Sequence, residues 1–238
     1  LNVSANPIMT QKQSKTYTAV WLKSISEIDQ NQWDALAEPL ATPFLEWTWL
    51  RQLEISKSTT AETGWVPHHL TIWSDDRLVA AAPLYIKTHS AGEFVFDHAW
   101  ADVARKLNIA YYPKLVGMSP FTPMIGYRFL MAPDEEEERL TRQMIFEIEQ
   151  FCSQFGIAGC SFLFVDPQWR KLMIRHGFIS WLHQSFSWRN AGYRTFDDYL
   201  AVFNSNQRHN IKRERRSIEN QGLYLETVTG EKIPSALI

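Results

Sequence analysis

Residues 134–155 are long and periodic enough to fix their own secondary structure. Leu140, Met144, Ile148 and Phe151 recur at steps of three and four, which places them on one stripe of a helix. Residues 134–138 are all acidic and lie where the helix dipole is positive. Gly156 supplies the left-handed residue that ends the helix. A helix with one apolar stripe must be covered by another layer. The flanking segments that can supply it are short and strand-like, above all the unbroken apolar run 160–165.

The rest of the chain extends this pattern. Residues 17–25 read as a strand, and Ser26 as the N-cap of a helix reaching Glu38 before Pro39. Residues 44–55 read as a second helix, with Leu45, Trp49 and Leu53 at four-residue steps. Residues 67–73 and 78–86 form a hairpin-like pair about a turn at Ser74-Asp75-Asp76. A short helix over 99–107 and a strand over 111–118 follow. Asp166-Pro167 then opens a helix to His176, and 179–190 reads as a strand with aromatic alternation. The order is β-α-α-β-β-β-α-β-α-β, which predicts an α/β (α+β mixed sheet) fold. Helices from Thr195 and over 207–221, then a strand over 223–228, restart the opening theme. Residues 1–16 read as a disordered lead-in, 17–194 as one domain, and 195–238 as a basic helical segment opening a second.

Composition narrows the class. With 238 residues, 45% hydrophobic and 21% charged, the chain needs no disulfide or metal staple and is neither disordered nor collagenous. Its net charge of −2 excludes a wholly basic nucleic-acid binder but not a local basic patch. No run reaches the roughly 20 apolar residues of a membrane span, and no secretory signal opens the sequence. Cys152 and Cys160 read as reduced residues of a cytoplasmic protein. The chain begins at Leu1, with Met9 as a candidate start, so it reads as a fragment.

Three clusters can carry chemistry. The first is Lys87-Thr88-His89-Ser90-Ala91-Gly92-Glu93 with Asp97 and His98, at the end of an apolar strand. Glu93 or Asp97 suits a general base, and the histidines an acid or base. The same residues also suit a solvated turn. The spacing of His89, Glu93, Asp97 and His98 matches no helical zinc pattern, so no metal is expected. The second cluster is Tyr111-Tyr112-Pro113-Lys114 with Pro120-Phe121-Thr122-Pro123, either a ligand groove or an aromatic core edge. The third is a basic stripe of Arg208, Lys212 and Arg215 or Arg216, which attracts phosphates or is simply a solvated helix face. There is no Walker A, GxGxxG or GxSxG motif.

These residues carry a family resemblance. The string Pro83-Leu84-Tyr85-Ile86-Lys87-Thr88-His89-Ser90-Ala91-Gly92-Glu93-Phe94-Val95-Phe96-Asp97 resembles the FemAB-like bacterial proteins of peptidoglycan biosynthesis/recognition. So do Trp100-Ala101, Tyr111-Tyr112-Pro113-Lys114-Leu115, Pro120-Phe121-Thr122-Pro123, Trp188-Arg189-Asn190-Ala191-Gly192-Tyr193, Phe196-Asp197-Asp198-Tyr199-Leu200 and the basic helix through Arg213-Glu214-Arg215-Arg216. The likeness covers roughly residues 17–235. It implies a GNAT-like (acyl-CoA N-acyltransferase) fold, as the first of two tandem halves with the second truncated. It implies acyl or aminoacyl transfer to an amine, with a peptidoglycan precursor or small molecule as acceptor and acyl-CoA or aminoacyl-tRNA as donor. The GNAT phosphate loop, RxxGxG/A before a helix, is not matched by Gly126-Tyr127-Arg128. The resemblance names no catalytic base; Glu93 and Asp97 of the first cluster are the catalytic candidates. Lys87, His89, Ser90, Tyr111, Tyr112, Lys114, Phe121 and Thr122 would line the groove, and Arg208 and Lys212 would meet phosphates, including those of tRNA. The alternative is a non-catalytic module that recognises a cell-wall precursor or tRNA.

Overall fold

A computed structural model describes residues 15–40, 42–184 and 186–234. The predicted lead-in over 1–16 lies almost wholly outside the described residues. The chain divides into two compact units, the first ending at His183 and the second starting at Gln184.

In the first unit the strands are β1 (Thr18–Leu22), β2 (Val66–Pro67), β3 (His69–Ser74), β4 (Arg77–Ala82), β5 (Leu84–Lys87), β6 (Lys114–Gly117), β7 (Leu130–Met131) and β8 (Cys160–Phe162). They form two sheets, ordered β1-β3-β4-β7 and β2-β5-β6-β8. All pairings are antiparallel except β6 with β8, which is parallel. The mixed α/β architecture expected from the sequence is therefore present. The sheets meet where β4 runs into β5 through Pro83, a residue with no N–H to continue a ladder. There the backbone N–H of Leu84 donates to His69 Nδ1 at 3.2 Å, and Tyr127 OH donates to the Pro83 carbonyl at 3.0 Å. His69, fully buried, thus satisfies a backbone donor that the broken ladder leaves behind.

The helices of this unit are α1 (Gln30–Ala37), α2 (Trp47–Ile55), α3 (His98–Lys106), α4 (Glu137–Phe155) and α5 (Pro167–Arg175). Leu140, Met144, Ile148 and Phe151 of α4 are buried as their spacing predicts. Phe151 stacks on Trp21 of β1 at 4.2 Å between ring centroids. Gly156 ends α4 in the left-handed region. Asp166 caps α5, accepting from Gln168 and Trp169 N–H, with Pro167 in the first turn.

Several expectations are corrected. Asp29, not Ser26, caps the first helix, because its carboxylate accepts from both Asn31 and Gln32 N–H while the Ser26 hydroxyl bonds Ser24. Residues 44–55 split into a 3-10 turn (Pro43–Leu45) and α2. The predicted strand over 179–190 is extended chain without a ladder partner in its described part, and Ile179 is 97% exposed. Residues 223–228 likewise form no strand.

The second unit holds α6 (Phe196–Ala201) and α7 (Ser205–Asn220), each closed by a capping box, from Thr195 with Asp198 and from Asn204 with Gln207. Rings of Trp188, Tyr193, Tyr199 and Phe203 pack around α6, and the Arg215 guanidinium lies 4.3 Å from the centre of the Phe196 ring. α7 has no buried residue.

Candidate functional site

The register of β5 and β6 sets an electrostatic problem. Lys87 ends β5 directly opposite Lys114, which begins β6. Both are buried, and like charges across an antiparallel pair repel. The loop after β5 brings in two carboxylates that resolve it. Lys114 Nζ donates to Glu93 Oε2 at 2.8 Å, to Asp97 Oδ2 at 2.7 Å and to Ser90 Oγ at 2.8 Å. Tyr111 OH donates to Asp97 Oδ2 at 2.7 Å, and the hydroxyls of Ser90 and Tyr112 are 2.7 Å apart. Lys87 takes another route. Its Nζ donates to the Ala91 carbonyl at 2.9 Å and sits 3.6 Å from the centre of the buried Trp65 ring.

Burial and pairing pull these groups in different directions. Burial pushes the Glu93 carboxyl up despite its bond to Lys114. Burial also pushes on Asp97, but the bonds from Lys114 and Tyr111 outweigh it and hold that carboxyl below its ordinary value. Burial drives the Lys87 ammonium down to about 8, with Lys114 adding to the effect and Glu93 opposing it. The Tyr111 phenol is raised by burial and by the adjacent Asp97 charge. Glu93 Oε1, Asp97 Oδ1 and Trp65 Nε1 are buried without a hydrogen-bond partner. Unpartnered polar atoms that deep are costly, and each calls for an explanation. Of the two carboxyls, each with one oxygen unpartnered, Glu93 is the better proton acceptor because its conjugate acid is the weaker.

Seven of the expected residues therefore converge: Lys87, Ser90, Glu93, Asp97, Tyr111, Tyr112 and Lys114. The other five stand apart from that ion cluster. His89 folds back on its own turn, accepting from Ala91 N–H at 3.2 Å, and its ring covers Gly64. Phe121 lies 5.5 Å from Trp65 by ring centroid, at the edge of the cluster. Thr122 lines a separate small cavity with Thr42, Phe44, Ser119 and Tyr127. Arg208 and Lys212 are in the second unit, where Arg208 donates to the Phe203 carbonyl and Lys212 lies 3.6 Å from Asp197. Both make a local contact, and the Lys212 side chain stays 57% exposed. Trp65, which carries Lys87, escapes the sequence reading; only its place just before a strand marks it.

The N-terminus of α4 is ringed by ion pairs. Asp134 pairs with Arg77, Glu135 with Lys15, Glu137 with Arg128, and Glu138 with Arg175. Carboxylates at this position satisfy the helix dipole themselves. Among the described residues, no group of three or more His, Cys, Asp or Glu is placed to hold a metal ion. No described helix is long and apolar enough to cross a membrane.

The order of motifs and this site define a class. The FemAB-like model, described as peptidoglycan biosynthesis/recognition, matches residues 24–238, and the chain belongs to that family. Among curated proteins nothing matches. Solved structures similar to the chain include an aminoglycoside N-acetyltransferase AAC(6')-Iy in complex with CoA, at TM-score 0.48 and 9% identity, covering 76% of this chain and 99% of that one. A ribosomal-protein-alanine N-acetyltransferase from Brucella melitensis gives TM-score 0.45 and 8% identity over 73% of this chain and 99% of its own. Glucosamine-6-phosphate N-acetyltransferase from Arabidopsis thaliana gives 0.41 and 11% over 73% and 98%.

Proposed function

We propose that this protein is a cytoplasmic N-acyltransferase of the GNAT type that moves an acyl or aminoacyl group onto an amine. In this reading the acceptor is a peptidoglycan precursor or related small amine. The observation that carries it is the buried carboxyl of Glu93, raised by its surroundings and with Oε1 uncommitted. Glu93 takes a proton from the attacking amine, and the amine nitrogen bonds to the donor carbonyl carbon. The tetrahedral oxyanion collapses, and the leaving thiolate or ribose oxygen takes the proton that Glu93 accepted from the amine. Lys114 holds Glu93 and Asp97 in place, and Tyr111 and Ser90 hold the far side of the cluster. The donor is acyl-CoA or aminoacyl-tRNA. In this reading Arg208 and Lys212 on α7 are the donor-phosphate contacts.

A second reading rests on the same cluster. Glu93 is wholly buried and already paired with Lys114, which suits a non-catalytic module that recognises a cell-wall precursor or tRNA. Calorimetry with acetyl-CoA, aminoacyl-tRNA and a muropeptide, run beside a turnover assay, separates the two. Turnover with any pair supports the transferase; binding with no turnover in every pair overturns it in favour of the module.

A further inference from the structure

Glu93 is wholly buried, so a substrate amine arriving from solvent does not touch its carboxyl directly. A base placed there needs a conduit of groups within hydrogen-bond reach of one another. One such chain starts at Glu93 Oε2. Lys114 Nζ donates to that oxygen at 2.8 Å and to Ser90 Oγ at 2.8 Å. Ser90 Oγ lies 2.7 Å from Tyr112 OH, a pair in which either oxygen can be the donor. Exposure rises along the chain, from 0% at Glu93 through 5% at Lys114 and 8% at Ser90 to the half-buried Tyr112. The chain therefore runs from the buried carboxyl toward solvent.

The other branch from Lys114 cannot do the same work. Asp97 Oδ2 accepts from Lys114 and from Tyr111. An ionised carboxylate has no hydrogen to hand on. A proton entering through Tyr111 would stop at Asp97, whose carboxyl is held below its ordinary value and is the poorer acceptor. Serine and tyrosine hydroxyls differ, because each donates one hydrogen while accepting another. The ammonium of Lys114 carries three donors that turn about its last carbon–nitrogen bond.

We infer that Tyr112, Ser90 and Lys114 relay the proton of the attacking amine to Glu93, with the Tyr112 hydroxyl as the group that meets the amine. The inference rests on the transferase reading and deepens it. Lys114 gives one hydrogen to Glu93 Oε2 and turns. Its freed lone pair takes the Ser90 hydrogen, Ser90 takes the Tyr112 hydrogen, and Tyr112 takes the proton that the amine nitrogen sheds as it bonds to the donor carbonyl carbon. Each relay member ends with the hydrogens it began with. The amine has lost one proton and Glu93 has gained it. The same steps in reverse deliver that proton to the leaving thiolate or ribose oxygen. Tyr112 is the catalytic residue of the relay, and Ser90 and Lys114 act through it.

The test measures kcat and KM for transfer from acetyl-CoA and from aminoacyl-tRNA to a muropeptide amine. It compares the full chain as wild type, Ser90→Ala, Tyr112→Phe, the double variant and Tyr111→Phe, each checked by circular dichroism. Ser90→Ala and Tyr112→Phe are each expected to lower kcat roughly 100-fold, with KM little changed. The double variant is expected to fall no further, because one break already interrupts the chain. Tyr111→Phe, which loses a bond to Asp97 alone, lowers kcat less than Tyr112→Phe. Tyr112→Phe removes one oxygen from a half-buried ring, so it carries the test even where Ser90→Ala unfolds. An active wild type with Tyr112→Phe within about twofold of it overturns the relay and leaves the transferase reading standing. Losses that multiply in the double variant assign two independent roles and also overturn the relay. No transfer by the wild type with any pair overturns the transferase reading, and the relay with it.

Discussion

Replacing Lys114 by Met removes one ammonium and strands two carboxylates. Lys114 Nζ makes three hydrogen bonds, at 2.7 to 2.8 Å, to Ser90, Glu93 and Asp97. Without it neither Glu93 oxygen has a partner, since Oε1 has none to begin with, while Asp97 keeps Tyr111. Breaking a buried ion pair from one side costs about 3–5 kcal/mol, because the surviving charge stays buried. That is a large part of the about 5–15 kcal/mol that holds a domain together. Urea unfolding at pH 7, followed by tryptophan emission, should show a loss of this size. The variant Lys114→Met with Glu93→Gln and Asp97→Asn removes all three charges and should recover most of it, to within about 2 kcal/mol of wild type. The sign with pH follows: the stranded carboxyls of Lys114→Met have raised pKa values when folded, so its deficit shrinks as acid protonates them. A deficit under about 1 kcal/mol at pH 7, or a triple variant no better than the single, would refute the view that this cluster is desolvated and mutually dependent.

Other outcomes follow from the same geometry. The Lys87 ammonium is held down to about 8 against an ordinary 10.5, so folding favours its neutral form; wild type should gain stability relative to Lys87→Met as pH rises from about 8 to 10.5, seen in paired urea titrations. Gly64 has φ +71°, and a Cβ there would come within 2.2 Å of His89 Nε2; Gly64→Ala should lower the unfolding midpoint by about 1–3 kcal/mol equivalent, and no change would show that the His89 turn is not fixed. α7 buries none of its side chains; its amides should exchange early in a hydrogen-exchange time course, and strong protection there would contradict a loosely packed α7.

What could be read from the sequence depended on how local each interaction is. The α4 stripe and the Asp166-Pro167 start of α5 are set by neighbours within four residues, so spacing alone located them. The first helix has two good cap candidates in Ser26 and Asp29, and spacing alone does not choose between them; Asp29 caps it by accepting from the N–H groups two and three residues on. Residues 179–190 alternate like a strand, but the described ones have no ladder partner; β7, two residues long, lies below any pattern. At the site, polar residues at strand ends pointed to Lys87, Glu93, Asp97 and Lys114. What stayed hidden was the register that sets Lys87 against Lys114, a pairing 27 positions apart in the chain, and with it the reason for two inward carboxylates.

The central claim is that Glu93 serves as base in an acyl transfer to an amine. It is tested most directly by measuring transfer from acetyl-CoA and from aminoacyl-tRNA to a muropeptide amine with wild type, Glu93→Gln and Asp97→Asn, each confirmed folded by circular dichroism. The account predicts transfer by the wild type and its abolition in Glu93→Gln, with Asp97→Asn impaired. Full activity in both variants would contradict it.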